Sequence, residues 1–273
     1  MPGLRCKSAS CFGDGGVSPH TTSEHVDAST MTIHLNTQAD LEEAIERLVK
    51  QDPRFKPILD TTGVPSLRRR EPGFVGLAHI VCGQQLSTAS AAAIWSRLIA
   101  AFGPFHHETL YRAPADRLGR LGLSAAKIKT LKHVASELAA GRLNLEVLAE
   151  EDADVAHHTL TALPGIGSWT ADIYLLFCLG HGDAWPAGDL AVREATRIGL
   201  GLRERPSEKQ MAPLAEPWRP VRGAAAHLWW SYYRAVKKRE GLIASDARAS
   251  NTVAAAKTSS TKAKVRGRKR RPP

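Results

Sequence analysis

The sequence predicts an all-α protein, and three observations carry that reading. Apolar residues recur at helical spacing along most of the chain, no stretch alternates convincingly as a half-buried strand would, and no unit repeats at a fixed 20–50-residue period. Thr37 precedes Leu41, Ala44, Ile45, Leu48 and Val49 on one helical face, and Thr37 with Asp40 makes a loose capping signal. From Gly73, the residues Phe74, Leu77, Ile80 and Val81 mark a second helix that reaches Gln84-Gln85. Ser87 or Thr88 caps the next, through Ile94, Trp95, Leu98 and Ile99. Ser124 caps a helix through Ile128, Leu131, Val134 and Leu138, which stops at Gly141. Residues 152–162 read as helix, 163–167 as a tight turn and 168–179 as a second helix. A loop with Pro186 and Gly188 leads into a helix over 189–198, Ser207 caps a short one, and Trp218 to about Lys238 forms the last long one.

The 273 residues suffice for one large domain or two small lobes. Residues 1–30 are rich in Ser, Thr, Gly and His without apolar periodicity and read as a disordered arm; 31–244 form the helical domain; 245–273 form a basic disordered tail. That tail holds nine Lys/Arg against Asp246, so most of the formal charge of +10 sits there and the domain is only mildly basic. Such a tail either attracts polyanions weakly, without sequence specificity, or simply keeps the chain soluble. The longest apolar run, 173–180, is too short to cross a bilayer, and no apolar stretch near Met1 suggests a signal peptide, so the expectation is an intracellular protein. Cys6, Cys11, Cys82 and Cys178 include no C-x-x-C pair, so neither zinc nor an iron–sulfur cluster is expected and the thiols read as reduced.

The string Leu163-Pro164-Gly165-Ile166-Gly167-Ser168-Trp169-Thr170-Ala171 is the most informative in the chain. Two glycines around an aliphatic residue permit a sharp connection between helices, and Ile166 can plug the pair from inside. The amides beyond Gly165 then open the following helix, where unpaired N–H donors and the helix dipole suit one phosphate without any side chain. The plainer reading is an αα-hairpin that needs its glycines only to turn.

The whole string resembles the helix-hairpin-helix of the DNA glycosylase superfamily named for the hairpin, a Gly/Pro-rich loop and an aspartate. Pro186-Ala187-Gly188-Asp189 stands where that aspartate follows the hairpin. The string from Phe74 through Val81, Gly83, Gln84, Gln85, Leu86 and Ser87 is similar to the DNA-facing helix pair. Gly122-Leu123-Ser124-x-x-Lys127 resembles the middle segment, and Trp218-Arg219-Pro220-x-Arg222 the last helix. The resemblance spans about residues 40–240 and is nearest to the alkylated-base (3-methyladenine) glycosylases, here in a compact form without an N-terminal β domain. It implies a two-lobed helical fold with a cleft between the lobes. The implied activity is hydrolysis of alkylated purines such as 3-methyladenine and 7-methylguanine from double-stranded DNA, by a monomer associated with the nucleoid in the cytoplasm. A glycosylase for uracil, mismatched adenine or oxidised guanine, and a non-catalytic DNA-binding module, remain alternatives.

The resemblance assigns roles residue by residue. Asp189 would be catalytic, stabilising the sugar cation that forms as the base departs; its plainer reading is a helix N-cap. Trp169 stands where strand-cutting relatives carry a Schiff-base Lys, so a monofunctional hydrolase is expected. Trp169 and Trp230 would hold a flipped, electron-poor base, although in His227-Leu228-Trp229-Trp230 one Trp must be core. Ile173 replaces the pocket Tyr of some relatives, and Tyr174, one position on, is the candidate in its stead. Gly165, Ile166, Gly167, Ser168 and Thr170 would bind the DNA backbone, Gln84 or Gln85 would wedge into the stack, and Arg219 would meet phosphate, while Arg222 reads rather as an ion-pair partner. His106-His107 and His157-His158 read as surface residues, and Asp172 as ordinary helix polarity. No metal or redox cofactor is expected; the resemblance leaves room for a monovalent cation between hairpin carbonyls and phosphate.

Overall fold

The computed structural model describes residues 32–238, so the expected arm over 1–30 and the basic tail over 245–273 lie outside the described residues. Within them the chain is helical, without a named strand; a lone antiparallel bridge joins His34 to His181. Each boundary follows from local chemistry. Helix α1 (Gln38–Gln51) opens on Thr37, whose hydroxyl accepts from the Asp40 amide while the Asp40 carboxylate accepts from the Thr37 amide. It buries Leu41, Ala44, Ile45 and Leu48, the face expected of it. Helix α2 (Lys56–Thr62) follows a short turn at Pro53–Phe55 and is too brief to show periodicity.

Helix α3 (Gly73–Gly83) leads through the Gln84-Gln85 turn into α4 (Thr88–Ala101), and Ser87 rather than Thr88 is its N-cap. His106 caps α5 (His107–Arg112), which α6 (Ala115–Arg120) follows. Helix α7 (Ala125–Ala139) starts at the Ser124 cap and ends before Gly141, which takes φ +67°. Helices α8 (Ala153–Thr161) and α9 (Ser168–Tyr174) form the hairpin pair, and α9 widens into a π turn at Leu175–Leu179. Helices α10 (Leu190–Gly199) and α11 (Glu208–Ala215) precede a turn at Glu216–Trp218. The last helix, α12, begins only at 222, because Pro220 interrupts the expected run from Trp218.

Helix α7 packs on α3, α5 and α6, which makes one group. Helix α1 meets the turns at Pro53–Phe55 and Glu216–Trp218 in a second group around Phe55, Trp218 and Trp229, with Phe55 edge-on to Trp218 at 4.9 Å. Trp218 and Trp229 are fully buried, and the Trp218 Nε1–H donates to Asp52 at 2.8 Å. Their buried residues form one continuous core, and α9 touches α3 and α8.

Candidate active site

The hairpin is built on a single steric demand. Gly165 takes φ +87°, and a Cβ there would fall 1.8 Å from Thr130 Oγ1 of α7. Gly167 differs: φ is −89°, and a Cβ would meet nothing within 4 Å. Its missing side chain therefore serves open space outside the protein rather than backbone strain. Gly167 is the N-cap of α9 and offers no side-chain bond, so the amides of Ser168, Trp169 and Thr170 open the helix without internal acceptors.

Two residues expected to face DNA are committed inward. Ile166 is 4% exposed and its amide donates to Leu163 O at 3.0 Å, so it plugs the turn and gives no free donor. The Thr170 hydroxyl is buried and accepts from Gln84 Nε2 at 2.9 Å, which leaves only its amide outward. The same bond distinguishes the two glutamines. Gln84 folds onto the hairpin and reaches toward Gly165 O at 3.5 Å. Gln85 is exposed and holds φ +55°, a conformation that few side chains adopt without a reason. Lys127, at the start of α7, donates to Cys82 O and Gln84 O, both at 2.8 Å, and pins the turn that presents Gln85. The sequence string around Gly122-Leu123-Ser124 included this Lys, but only the fold shows its work.

Asp189 caps α10, with Oδ1 accepting from the amides of Ala191 at 2.9 Å and Val192 at 3.0 Å. The capping reading holds. Trp230 Nε1–H donates to the same Oδ1 at 3.0 Å, and Trp169 Nε1–H donates to Oδ2 at 3.0 Å. The carboxylate therefore lies between two indoles contributed by α9 and α12. Oδ1 carries three donors and Oδ2 one, so Oδ2 keeps acceptor capacity for a further partner. Trp169 is 39% exposed, while Trp230 is half-buried and stacks on Phe177 at 5.3 Å. Trp229, not Trp230, is the core member of the pair.

Several expectations are corrected here. Tyr174 is fully buried and its hydroxyl accepts from the Gly73 amide at 3.1 Å, holding α3 to α9, and burial pushes its phenol pKa up. Arg219 is not free for phosphate. Asp154, Asp183 and Glu216 surround its guanidinium, with Asp183 Oδ2 at 2.6 Å. Arg222 shares Asp183 and Asp154, as an ion-pair partner should, and both arginines fasten α8 to the 183 loop. His157 is half-buried, with Nε2 3.1 Å from Ser168 Oγ, and burial lowers its pKa. Asp172 is 4% exposed, so helix polarity does not explain it. Among the described residues no three His, Cys, Asp or Glu cluster as a metal site would require, and Cys82 and Cys178 are buried free thiols pushed up to about 12.

A family model covers this part of the chain. The model for the HhH-GPD superfamily base excision DNA repair protein matches residues 78–220, which contain the hairpin, Gln85 and Asp189. The chain belongs to that superfamily.

A Mycobacterium tuberculosis protein described as a probable bifunctional transcriptional activator/DNA repair enzyme is 31% identical over 243 residues, covering 80% of this chain and 48% of its own. This chain thus spans about half the length of that relative. DNA-3-methyladenine glycosylase 1 of Schizosaccharomyces pombe is 31% identical over 202 residues, 72% of this chain and 84% of that protein. The solved structure of the S. pombe 3-methyladenine DNA glycosylase with abasic DNA superimposes with a TM-score of 0.61 at 27% identity, over 68% of this chain and 95% of that one. The superfamily member described here has the same helical architecture. Among its described residues no helix is long and apolar enough to cross a membrane.

Proposed function

We propose that this HhH-GPD protein is a monofunctional DNA glycosylase that hydrolyses alkylated purines, 3-methyladenine and 7-methylguanine, from double-stranded DNA, acting as a monomer on the nucleoid. One observation carries the reading: the Asp189 carboxylate is fixed by four N–H donors between two indoles, one helix away from the hairpin. The names of the S. pombe relative and of its DNA complex support the same substrate class.

The chemistry follows from the charges. As the glycosidic bond lengthens, positive charge grows on the sugar, and a rigid carboxylate stabilises it without having to reorganise. Oδ2 is the oxygen with capacity left for the sugar or an attacking water. Alkylated purines are cationic or electron-poor, so they leave readily and their rings suit the indole faces of Trp169 and Trp230. The free amides at Ser168 and Trp169 hold a backbone phosphate, and Gln85 fills the gap left by the flipped nucleotide. Trp169 carries no amine, so no imine with the sugar forms and the product is an abasic site. The hydrolysis needs no redox cofactor. Gly165 O meets Gln84 Nε2 only at 3.5 Å, so its lone pairs suit a monovalent cation, which would add positive charge beside a phosphate.

The test is chromatography of bases liberated from dimethyl-sulfate-treated DNA by the wild type and by Asp189→Asn. Release of methylated purines by the wild type alone supports the reading. Binding without release by either protein would instead mark a non-catalytic DNA-binding module, and release of uracil or oxidised guanine from lesion duplexes would reassign the substrate.

A further inference from the structure

Beside the hairpin lies a cavity of about 620 Å³, and neither Asp189, Trp169 nor Trp230 lines it. Asp172, one turn into α9, forms part of its wall while remaining 4% exposed. Its carboxyl makes no hydrogen bond with the described protein; the nearest basic atom is His157 Nε2, 3.6 Å from Oδ1. That nitrogen already meets Ser168 Oγ. Ser168 and Asp172 thus approach the same His157 atom, which excludes a nucleophile relay, since a relay needs the two opposite ring nitrogens.

A buried carboxyl without a counter-charge is costly and rare. The groups facing Asp172 do not supply one. Arg222 of α12 also lines the cavity, but Asp183 and Asp154 take its guanidinium. Glu208 of α11 and Asp154 of α8 add negative charge, and Lys209 stands exposed on the lining. Burial, then these acids, push the Asp172 pKa well above the usual carboxylate range, against the pull of Arg222. The remaining wall, with Ala184, Trp185 and Ala212, is apolar. A metal ion does not fit, because no three His, Cys, Asp or Glu among the described residues cluster around one point.

We propose that this cavity binds a small organic cation, an ammonium or amidinium on an apolar body, with Asp172 as its buried counter-ion and Glu208 at the rim. Burial and the neighbouring acids hold the Asp172 carboxyl of the empty site well above the usual carboxylate range. Where the carboxyl is protonated, binding exchanges that proton for the cation: the O–H breaks, the proton passes to buffer, and the carboxylate accepts the N–H of the ligand.

The probe is benzylammonium, titrated calorimetrically into the full chain at pH 7 in two buffers of different ionisation enthalpy. The expected result is one-to-one binding with a Kd of roughly 1 mM or below, accompanied by proton release. Asp172→Asn, which keeps the shape of a neutral carboxyl, should weaken binding at least tenfold and abolish the proton release. Glu208→Gln, at an exposed position, should weaken it severalfold with the proton release retained. If Asp172→Asn does not fold, the wild-type proton count and the Glu208→Gln arm still decide. Absence of binding, equal affinity in Asp172→Asn, equal binding of benzyl alcohol, or binding without proton release would each overturn the proposal.

Discussion

Asp189 shows how far a single residue can be read before its neighbours are known. Its sequence context supports both a cap and a catalytic carboxylate, and the two oxygens divide the work: Oδ1 takes both amides and Trp230, Oδ2 takes Trp169 alone. Asp189→Asn keeps the cap but loses the charge and turns an N–H donor toward one of the donors. It should lower base release at least about 10²-fold while binding to an abasic-site duplex persists, measured by single-turnover release beside fluorescence anisotropy. Near-normal turnover would refute the role. The glutamine pair gives a second contrast. Gln85→Ala should slow release from duplex DNA more than from single strands, because the wedge matters only where a stack must be filled. Gln84→Ala should instead loosen the hairpin and slow both substrates alike; identical profiles for the two variants would remove the distinction. Sequence could not separate these neighbours, since the Thr170 bond that captures Gln84 spans the two helix pairs. Tyr174 and Arg219 misled for a related reason. One position along a helix turns a side chain by about 100°, from pocket to core, and Arg219 met acids from two other segments.

At the scale of elements, the long helices were legible because capping chemistry and an apolar face coincide in them. Thr37, Ser87 and Ser124 mark starts that the structure keeps. Helices α2, α5 and α6 were not legible: at six or seven residues none completes two turns, so no period can show. The hairpin was legible as a whole but not in its parts, because its two glycines do different jobs. Gly165→Ala would force a positive φ and drive Cβ into Thr130 Oγ1, so a loss of about 2–4 kcal/mol is expected. Gly167→Ala meets open space at an ordinary φ, so stability should change by less than about 0.5 kcal/mol. The DNA affinity of Gly167→Ala should nonetheless fall, since the new methyl occupies the surface a phosphate approaches. Denaturant unfolding and anisotropy titrations on both variants separate the roles. A destabilised Gly167→Ala with unchanged affinity would contradict this assignment.

For the whole molecule, buried titratable groups set how stability follows pH. His227 of α12 is 4% exposed, lies edge-on to Phe177 at 5.5 Å and to Trp230 at 6.2 Å, and leaves Nε2 without a partner. Burial, then the charges of Arg68 and Arg234, lower its pKa to about 4. The unfolded chain therefore takes up a proton below about pH 6.5 that the folded chain refuses until about pH 4. The His227 contribution is complete above the unfolded value and is lost as pH falls toward the folded one. His79, His157 and His181, also lowered by burial, act in the same direction. Asp172 acts oppositely: its raised pKa makes its contribution complete below the unfolded value near 3.8 and lost as pH rises. A single curve mixes these groups, whereas a variant isolates one of them. His227→Phe keeps an aromatic ring against Phe177 and Trp230 but cannot titrate. Between pH 7.5 and 5 the wild type should lose about 2 kcal/mol more than the variant, read from urea unfolding at each pH. Parallel curves for the two proteins would mean that His227 takes up its proton without opening the core behind Trp230. The stacked indole that holds Asp189 would then not be the acid-sensitive part of the fold.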